Sequence, residues 1–203
     1  MKLFKYWLLS FVATVFLHGW VELVIAGDLD QSEMIFIPAG NFLMGSPEGE
    51  GRSDEYPQHN VFLDAFYIDR FETTGKEFEK YLSFNLDQHP TITGWWGRHV
   101  RPDMKNRPVI GLSWKRCQNF CEWRGKRLPT EAEWERAASG LERRRFPWGN
   151  EPPDQKRANF NRCCFIMKGL TLDKIGSHPS GATPDGIYDL GGNIAEWVYD
   201  WYD

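Results

Sequence analysis

The chain has 203 residues, 41% hydrophobic and 26% charged, with a formal net charge of −4, a balance that suits one globular core. The charge is spread without long runs, so there is no basic stripe and no nucleic-acid partner is expected. Ten Trp, fourteen Phe, nineteen Gly and twelve Pro point to short elements joined by ordered loops, around a core of large aromatic side chains.

Lys2 and Lys5 precede an apolar stretch from Tyr6 to Leu17, which His18 and Glu22 then interrupt. Val24-Ile25-Ala26 offers small residues for a peptidase cut near Ala26 or Gly27. A charged start, a short apolar centre and a cleavable end describe a secretory signal over residues 1–27, whereas a membrane span needs about 20 apolar residues. An uncleaved amino-terminal anchor is the competing reading. The expectation is a secreted or periplasmic protein whose residues 28–203 form one domain, with no transmembrane segment after cleavage.

Met34-Ile35-Phe36-Ile37 reads as a strand, Pro38-Ala39-Gly40 as a turn and Asn41 to Met44 as a second strand. Gly45 to Gln58 is a polar, glycine-rich loop. His59 to Asp69 returns to alternation, with Val61, Leu63 and Ala65 on one side and Phe62 and Phe66 near the other. Three short helices follow. Thr74 and Glu77 make a capping box ahead of an apolar face of Phe78, Tyr81 and Leu82. Ser113 is placed to cap a helix with Trp114, Cys117, Phe120 and Cys121 on one face and Gly125 as its stop. Thr130 and Glu133 make another capping box, with Trp134, Ala137 and Ala138 on the inner side and Gly140 at the end. Between the first two helices, His89 to Pro108 is a loop long enough to suggest a function, and it carries Trp95 and Trp96. Ile194 to Trp201 alternates as a half-buried strand, Trp197, Tyr199 and Trp201 on one face and Glu196, Val198 and Asp200 on the other.

The stretch from Asp189 to Glu196 is the strongest candidate site. Two carboxylates flank a glycine-rich turn, so side-chain and carbonyl oxygens can converge as a hard cation such as calcium requires. A tight turn whose carboxylates only bond backbone amides fits the same residues. Cys117 and Cys121, four apart on one helix face, suit a soft metal or a small apolar core position, but their parallel Cβ directions are poor for bridging each other. Cys163 and Cys164 are adjacent, and a bridge between them would be strained. The five histidines show no ligand spacing, and there is no nucleophile elbow, P-loop or paired-carboxylate glycosidase signature.

In order along the chain, Ile37 to Ser46 (IPAGNFLMGS), Glu72-Thr73-Thr74, Pro108 to Trp114 (PVIGLSW), Trp123 to Glu135 (WRGKRLPTEAEWE), Pro147-Trp148-Gly149, Ala158-Asn159-Phe160 and Gly186 to Trp197 (GIYDLGGNIAEW) resemble the formylglycine-generating, or sulfatase-modifying factor, family. The resemblance covers nearly everything after the signal segment. It implies an α+β fold related to the C-type lectins, with short helices and strands among ordered loops. It also implies an activity, oxidation of a cysteine in an unfolded sulfatase polypeptide to formylglycine, with oxygen and a copper ion held by two cysteines. That pair follows an Arg-Gly-Gly-Ser-Trp-like run in the family, and no residue up to Asp203 matches it, so no catalytic residue is assigned and the chain as it stands is expected to be inactive. Matched residue by residue, the family's calcium loop gives the side chains of Asp189 and Glu196 and the carbonyls of Gly192 and Ile194. A second family calcium site would use Asn159 and Phe160 with a later acid. Ile166 to Leu170 contains none, so that site is expected to be lost or altered. In some family members the position of Cys121 pairs with a cysteine near the domain's end, which is absent here.

Two other functions compete with the enzyme. One is a lectin-like module without chemistry, presenting the Trp95-Trp96 loop to a peptide or glycan. The other is that of exported relatives such as the oxidase that matures the pyoverdine chromophore.

Overall fold

A computed structural model of the chain describes residues 34–85, 94–160 and 172–202, all within one compact unit, Glu33–Asp203. The expected signal segment, Cys163 and Cys164 lie outside the described residues. Among the described residues no helix is long and apolar enough to cross a membrane.

The fold opens with four short strands, β1 (Met34–Ile37), β2 (Gly40–Met44), β3 (His59–Leu63) and β4 (Phe66–Asp69). β1 pairs antiparallel with β4, Ile37 opposite Phe66, and β2 pairs with β3, Gly40 opposite Leu63. The expected single strand from His59 to Asp69 is therefore broken at Asp64 and Ala65, across from Pro38 and Ala39. Proline has no N–H to give the ladder, so pairing lapses on both sides at that level. The break also shifts the phase of alternation. Phe66 turns inward and is buried, while Phe62 stays on the outer face, 60% exposed.

Helix α1 (Gly75–Phe84) starts at Thr74, whose hydroxyl accepts from the Glu77 amide while the Glu77 carboxylate accepts from the Thr74 amide. Phe78, Tyr81 and Leu82 are buried on its inner face. They form an aromatic core with Phe120 from α2 (Trp114–Trp123), flanked by Trp95, Val109, Leu112 and Cys121. Ser113 stands at the N-cap of α2 with no side-chain capping bond, contrary to the expectation. Gly125, at φ 69°, ends that helix as expected. Helix α3 (Glu131–Ser139) has the second capping box at Thr130, and Gly140 at φ 68° follows it. The region expected to be a plain loop holds a small hairpin, β5 (Trp95–Trp96) with β6 (His99–Val100), and a 3-10 turn at Pro102–Met104. Trp95 packs edge-on against Phe78, and Trp96 points outward.

A second core joins Ile37 and Phe66 to Ala137 and Ala138 of α3 and to Ile187 and Leu190. Burial of Ile187 and Leu190 fixes the start of the glycine-rich turn against the strands and α3. The strand expected over Ile194 to Trp201 does not form. These residues are an irregular strap, and the alternation instead sorts side chains between two helices. Trp197 Nε1 donates to the Leu112 carbonyl before α2, and Tyr199 and Trp201 lie against the Trp114 ring of α2. Glu196 accepts from Trp134 Nε1, and Asp200 accepts from the Glu131 amide, both on α3.

Candidate functional site

The turn from Asp189 to Glu196 is held open by its neighbours as well as by itself. Asp189 and Asn193 both adopt left-handed backbone, φ 63° and 65°, which short polar side chains tolerate. The Gly192 amide donates to the Asp189 carbonyl at 3.1 Å, and the Ile194 amide donates to the Gly192 carbonyl at 2.9 Å. Position 192 has to be glycine because a Cβ there would stand 2.7 Å from the Asn159 carbonyl oxygen.

Asn193 ties the turn to three distant segments. Its Nδ2 donates to Glu72 Oε2 at 2.7 Å and to the Asp173 carbonyl at 3.3 Å. Its Oδ1 accepts from Asn159 Nδ2 at 3.1 Å and from the Asp173 amide at 3.0 Å, and its own amide donates to the Asn159 carbonyl at 2.8 Å. The side chain's hydrogen-bonding capacity is thus spent on structure, and Asn193 positions the turn. Asp173, three residues beyond the stretch read for an acid, meets Asn159 only through its backbone amide, at their shared acceptor on Asn193. Its carboxylate is engaged by His178 Nε2 at 3.0 Å.

The expected ligands divide as follows. Asp189 Oδ2 accepts from the Gly176 amide at 2.8 Å, and Glu196 Oε2 accepts from Trp134 Nε1 at 2.6 Å. One oxygen of each carboxylate is therefore occupied, that of Asp189 by a backbone amide, as the tight-turn reading has it, and that of Glu196 by an indole side chain instead. A third carboxylate, which the sequence reading did not single out as a site residue, lies with them. Glu72 is 6% exposed, and its Oε1 has no hydrogen-bond partner among the described residues. Burial, followed by the charges of Asp189 and Glu196, pushes its pKa up to about 9, and its hydrogen bonds with Asn193 and the Ile194 backbone only partly oppose this. Burial also raises Asp189, against the Gly176 amide and His178. Glu196 is itself exposed, yet desolvation by the atoms crowding its carboxyl and the charge of Asp189 push it up, against the hydrogen bond from Trp134. Each group resists ionisation because nearby positive charge falls short.

A hard cation would supply that charge, and oxygen donors with a buried, half-idle carboxylate fit calcium. Among the described residues no three of His, Cys, Asp and Glu converge on one point. A cation here would therefore rest on the Gly192 and Ile194 carbonyls as well as on carboxylates. The described cysteines do not fit the copper that the resemblance implies. Cys117 and Cys121 are partly buried on α2, and burial pushes their pKa values to about 11 and about 12. Copper needs thiolates, and these sites favour thiols.

The family model for the sulfatase-modifying factor enzyme 1-like domain matches residues 25–203. The chain is 37% identical over 185 residues to serine/threonine-protein kinase pkn1 of Chlamydia caviae, covering 84% of this chain and 28% of that protein. It is 34% identical over 218 residues to the formylglycine-generating enzyme of Mus musculus, covering 84% and 59%. It is 31% identical over 229 residues to inactive C-alpha-formylglycine-generating enzyme 2 of Bos taurus, covering 90% and 74%. The first two matches show that the chain spans less than two thirds of the length of such relatives. The solved structure of PvdO from Pseudomonas aeruginosa superposes with a TM-score of 0.64 at 28% identity, covering 84% of this chain and 71% of that one. Sequence and fold agree, and the chain belongs to the sulfatase-modifying factor, or formylglycine-generating-enzyme, family.

Proposed function

We propose that this chain forms the calcium-stabilised scaffold of a formylglycine-generating-type domain, and that residues 1–203 by themselves do not oxidise cysteine. The observation that supports the calcium reading is the turn itself, where Asp189 and Glu196 flank the Gly192 and Ile194 carbonyls and the buried Glu72 carboxyl reaches Asn193, with all three carboxyls pushed up for want of positive charge. Asp189 and Glu196 would supply side-chain oxygens, and Gly192 and Ile194 their carbonyls. When bound, calcium would offset the carboxylates' charge and fix the direction of those carbonyls. The protein's own part is to hold the turn in place, through Leu190 in the core and Asn193 on its three partner segments.

Relatives that share this sequence pattern bear both active and inactive names, so likeness alone does not assign the activity. The state of the thiols supports inactivity. The family chemistry asks for two copper-binding thiolates, and Cys117 and Cys121 are partly buried thiols on α2, Cys121 packed against the aromatic core. An unfolded sulfatase polypeptide is the partner proposed for a family member that carries the copper-binding thiols, and export through residues 1–27 belongs to the same reading. The test is incubation with copper, oxygen and a Cys-x-Pro-x-Arg peptide, with aldehyde read by hydrazide capture. No aldehyde above background is expected, and a catalytic yield of aldehyde overturns the proposal. A second reading, a binding module, draws on Trp96, 66% exposed on a hairpin anchored by Trp95.

A further inference from the structure

We infer that Arg70, just after β4, anchors a small oxyanion-binding cleft that works independently of any calcium. The cleft lies between residues 69–73, Glu77 in the first turn of α1 and Arg124 at the end of α2, with room of about 10 Å³ for a water-sized guest. That is enough for one oxygen atom of a ligand to enter. Its floor is fixed beforehand, because the Arg70 carbonyl accepts from the Tyr188 amide and the Thr73 carbonyl from the Val109 amide, both at 2.9 Å.

Five charged side chains belong to residues that line the cleft, and their pairing decides what it can hold. The Asp69 carboxylate takes the ammonium of Lys126. The Glu77 carboxylate takes Arg124 Nη1 at 2.7 Å and also accepts from the Thr74 amide and hydroxyl. Glu72 gives one oxygen to Asn193, and the charges that act on it most are those of Asp189 and Glu196, so Arg70 is not its partner. That leaves Arg70. Its Nε is buried without a hydrogen-bond partner, and its guanidinium makes no ion pair among the described residues. A buried N–H with no acceptor is a standing cost, and a heavier one on a charged group. A carboxylate or phosphate group meets a guanidinium side-on through Nε and one Nη, two parallel bonds to two oxygens. Arg124 has only Nη1 committed among the described residues, so a second guanidinium can face the same ligand. Water would satisfy the Arg70 N–H and leave its charge uncompensated, whereas an oxyanion does both.

The experiment follows the melting temperature of the full chain in chelator as sodium phosphate or sodium acetate replaces sodium chloride at constant ionic strength. The chelator keeps the outcome separate from the calcium reading. The parent should melt higher, and the rise should saturate, with at least one of the two ions; which one does so separates a tetrahedral from a planar ligand. In chloride alone Arg70→Gln should melt no lower than the parent, because the Arg70 side chain gives up no bond to the protein. It should lose at least half of the rise. Arg70→Lys, which keeps the charge without the fork, should recover part of it. No rise in the parent, a rise that does not saturate, or an equal rise in parent and Arg70→Gln overturns the inference. If Arg70→Gln does not fold, isothermal titration of phosphate and of acetate into the parent and Arg70→Lys decides. Binding about threefold or more weaker in Arg70→Lys supports the fork, and equal binding contradicts it.

Discussion

Replacing Asn193 by alanine removes the side chain that joins the turn to residues 72, 159 and 173. The bond to Glu72 at 2.7 Å has a buried carboxyl acceptor that resists ionisation, so it counts as an ordinary hydrogen bond, about 1 kcal/mol. The two bonds accepted by Oδ1, from Asn159 Nδ2 and the Asp173 amide, are neutral and contribute about 1 kcal/mol each. Alanine at φ 65° adds left-handed strain of about 1 kcal/mol that asparagine largely escapes. These contributions share partners, so their sum of about 4 kcal/mol sets the scale of the expected loss, a large fraction of a domain's typical 5–15 kcal/mol. Asn193→Gly removes the same bonds without the strain and should lose about 1 kcal/mol less than Asn193→Ala. Urea unfolding followed by tryptophan fluorescence measures both. A loss below about 1.5 kcal/mol for Asn193→Ala would refute the view that this side chain holds the site together.

Gly192→Ala drives a methyl to 2.7 Å from the Asn159 carbonyl oxygen and 3.2 Å from the Ala158 Cβ, and should cost about 1–3 kcal/mol in the same unfolding assay. An unchanged midpoint would show that the two segments are free to separate. With Cys163 and Cys164 changed to serine, Cys117 and Cys121 should alkylate far more slowly with iodoacetamide at pH 8 in the folded protein than in urea. Equal rates would contradict the burial that raises them. The same shift has a defined sign for stability. The folded state holds these thiol protons more tightly than the unfolded chain does. Their contribution is therefore complete below the ordinary thiol pKa of 9.0 and is lost as pH rises through about 11 to about 12.

Local chemistry was the most legible part of the sequence. The capping boxes at Thr74 and Thr130 and the stop at Gly125 depend on residues within one turn of the helix they bound, and each formed as read. The break between β3 and β4 was not visible, because its cause, Pro38, sits far off in the chain between β1 and β2 and matters only once the register is known. The alternation after Ile194 did sort side chains to two sides, but no strand formed. Period-two pattern, however, does not reveal whether a ladder partner exists, and here two helices receive the side chains instead. Within the site, Asp189 and Glu196 stood out because charge beside glycine is a local pattern. Glu72 appeared only as part of a family-like run, since the burial of a lone carboxylate is a property of the assembled fold. Asn193 had a local sign, an amide residue directly after Gly191-Gly192 where left-handed backbone is common, and Asp173 lay just beyond the segment where an acid was sought.

Isothermal titration of calcium chloride into the chelator-treated protein tests the central claim most directly. One saturable site is predicted for the parent. Glu196→Gln, which keeps the shape of the side chain while losing its charge, should abolish or greatly weaken it. No saturable heat in the parent, or an unchanged isotherm in Glu196→Gln, would show that the turn from Asp189 to Glu196 holds itself without an ion.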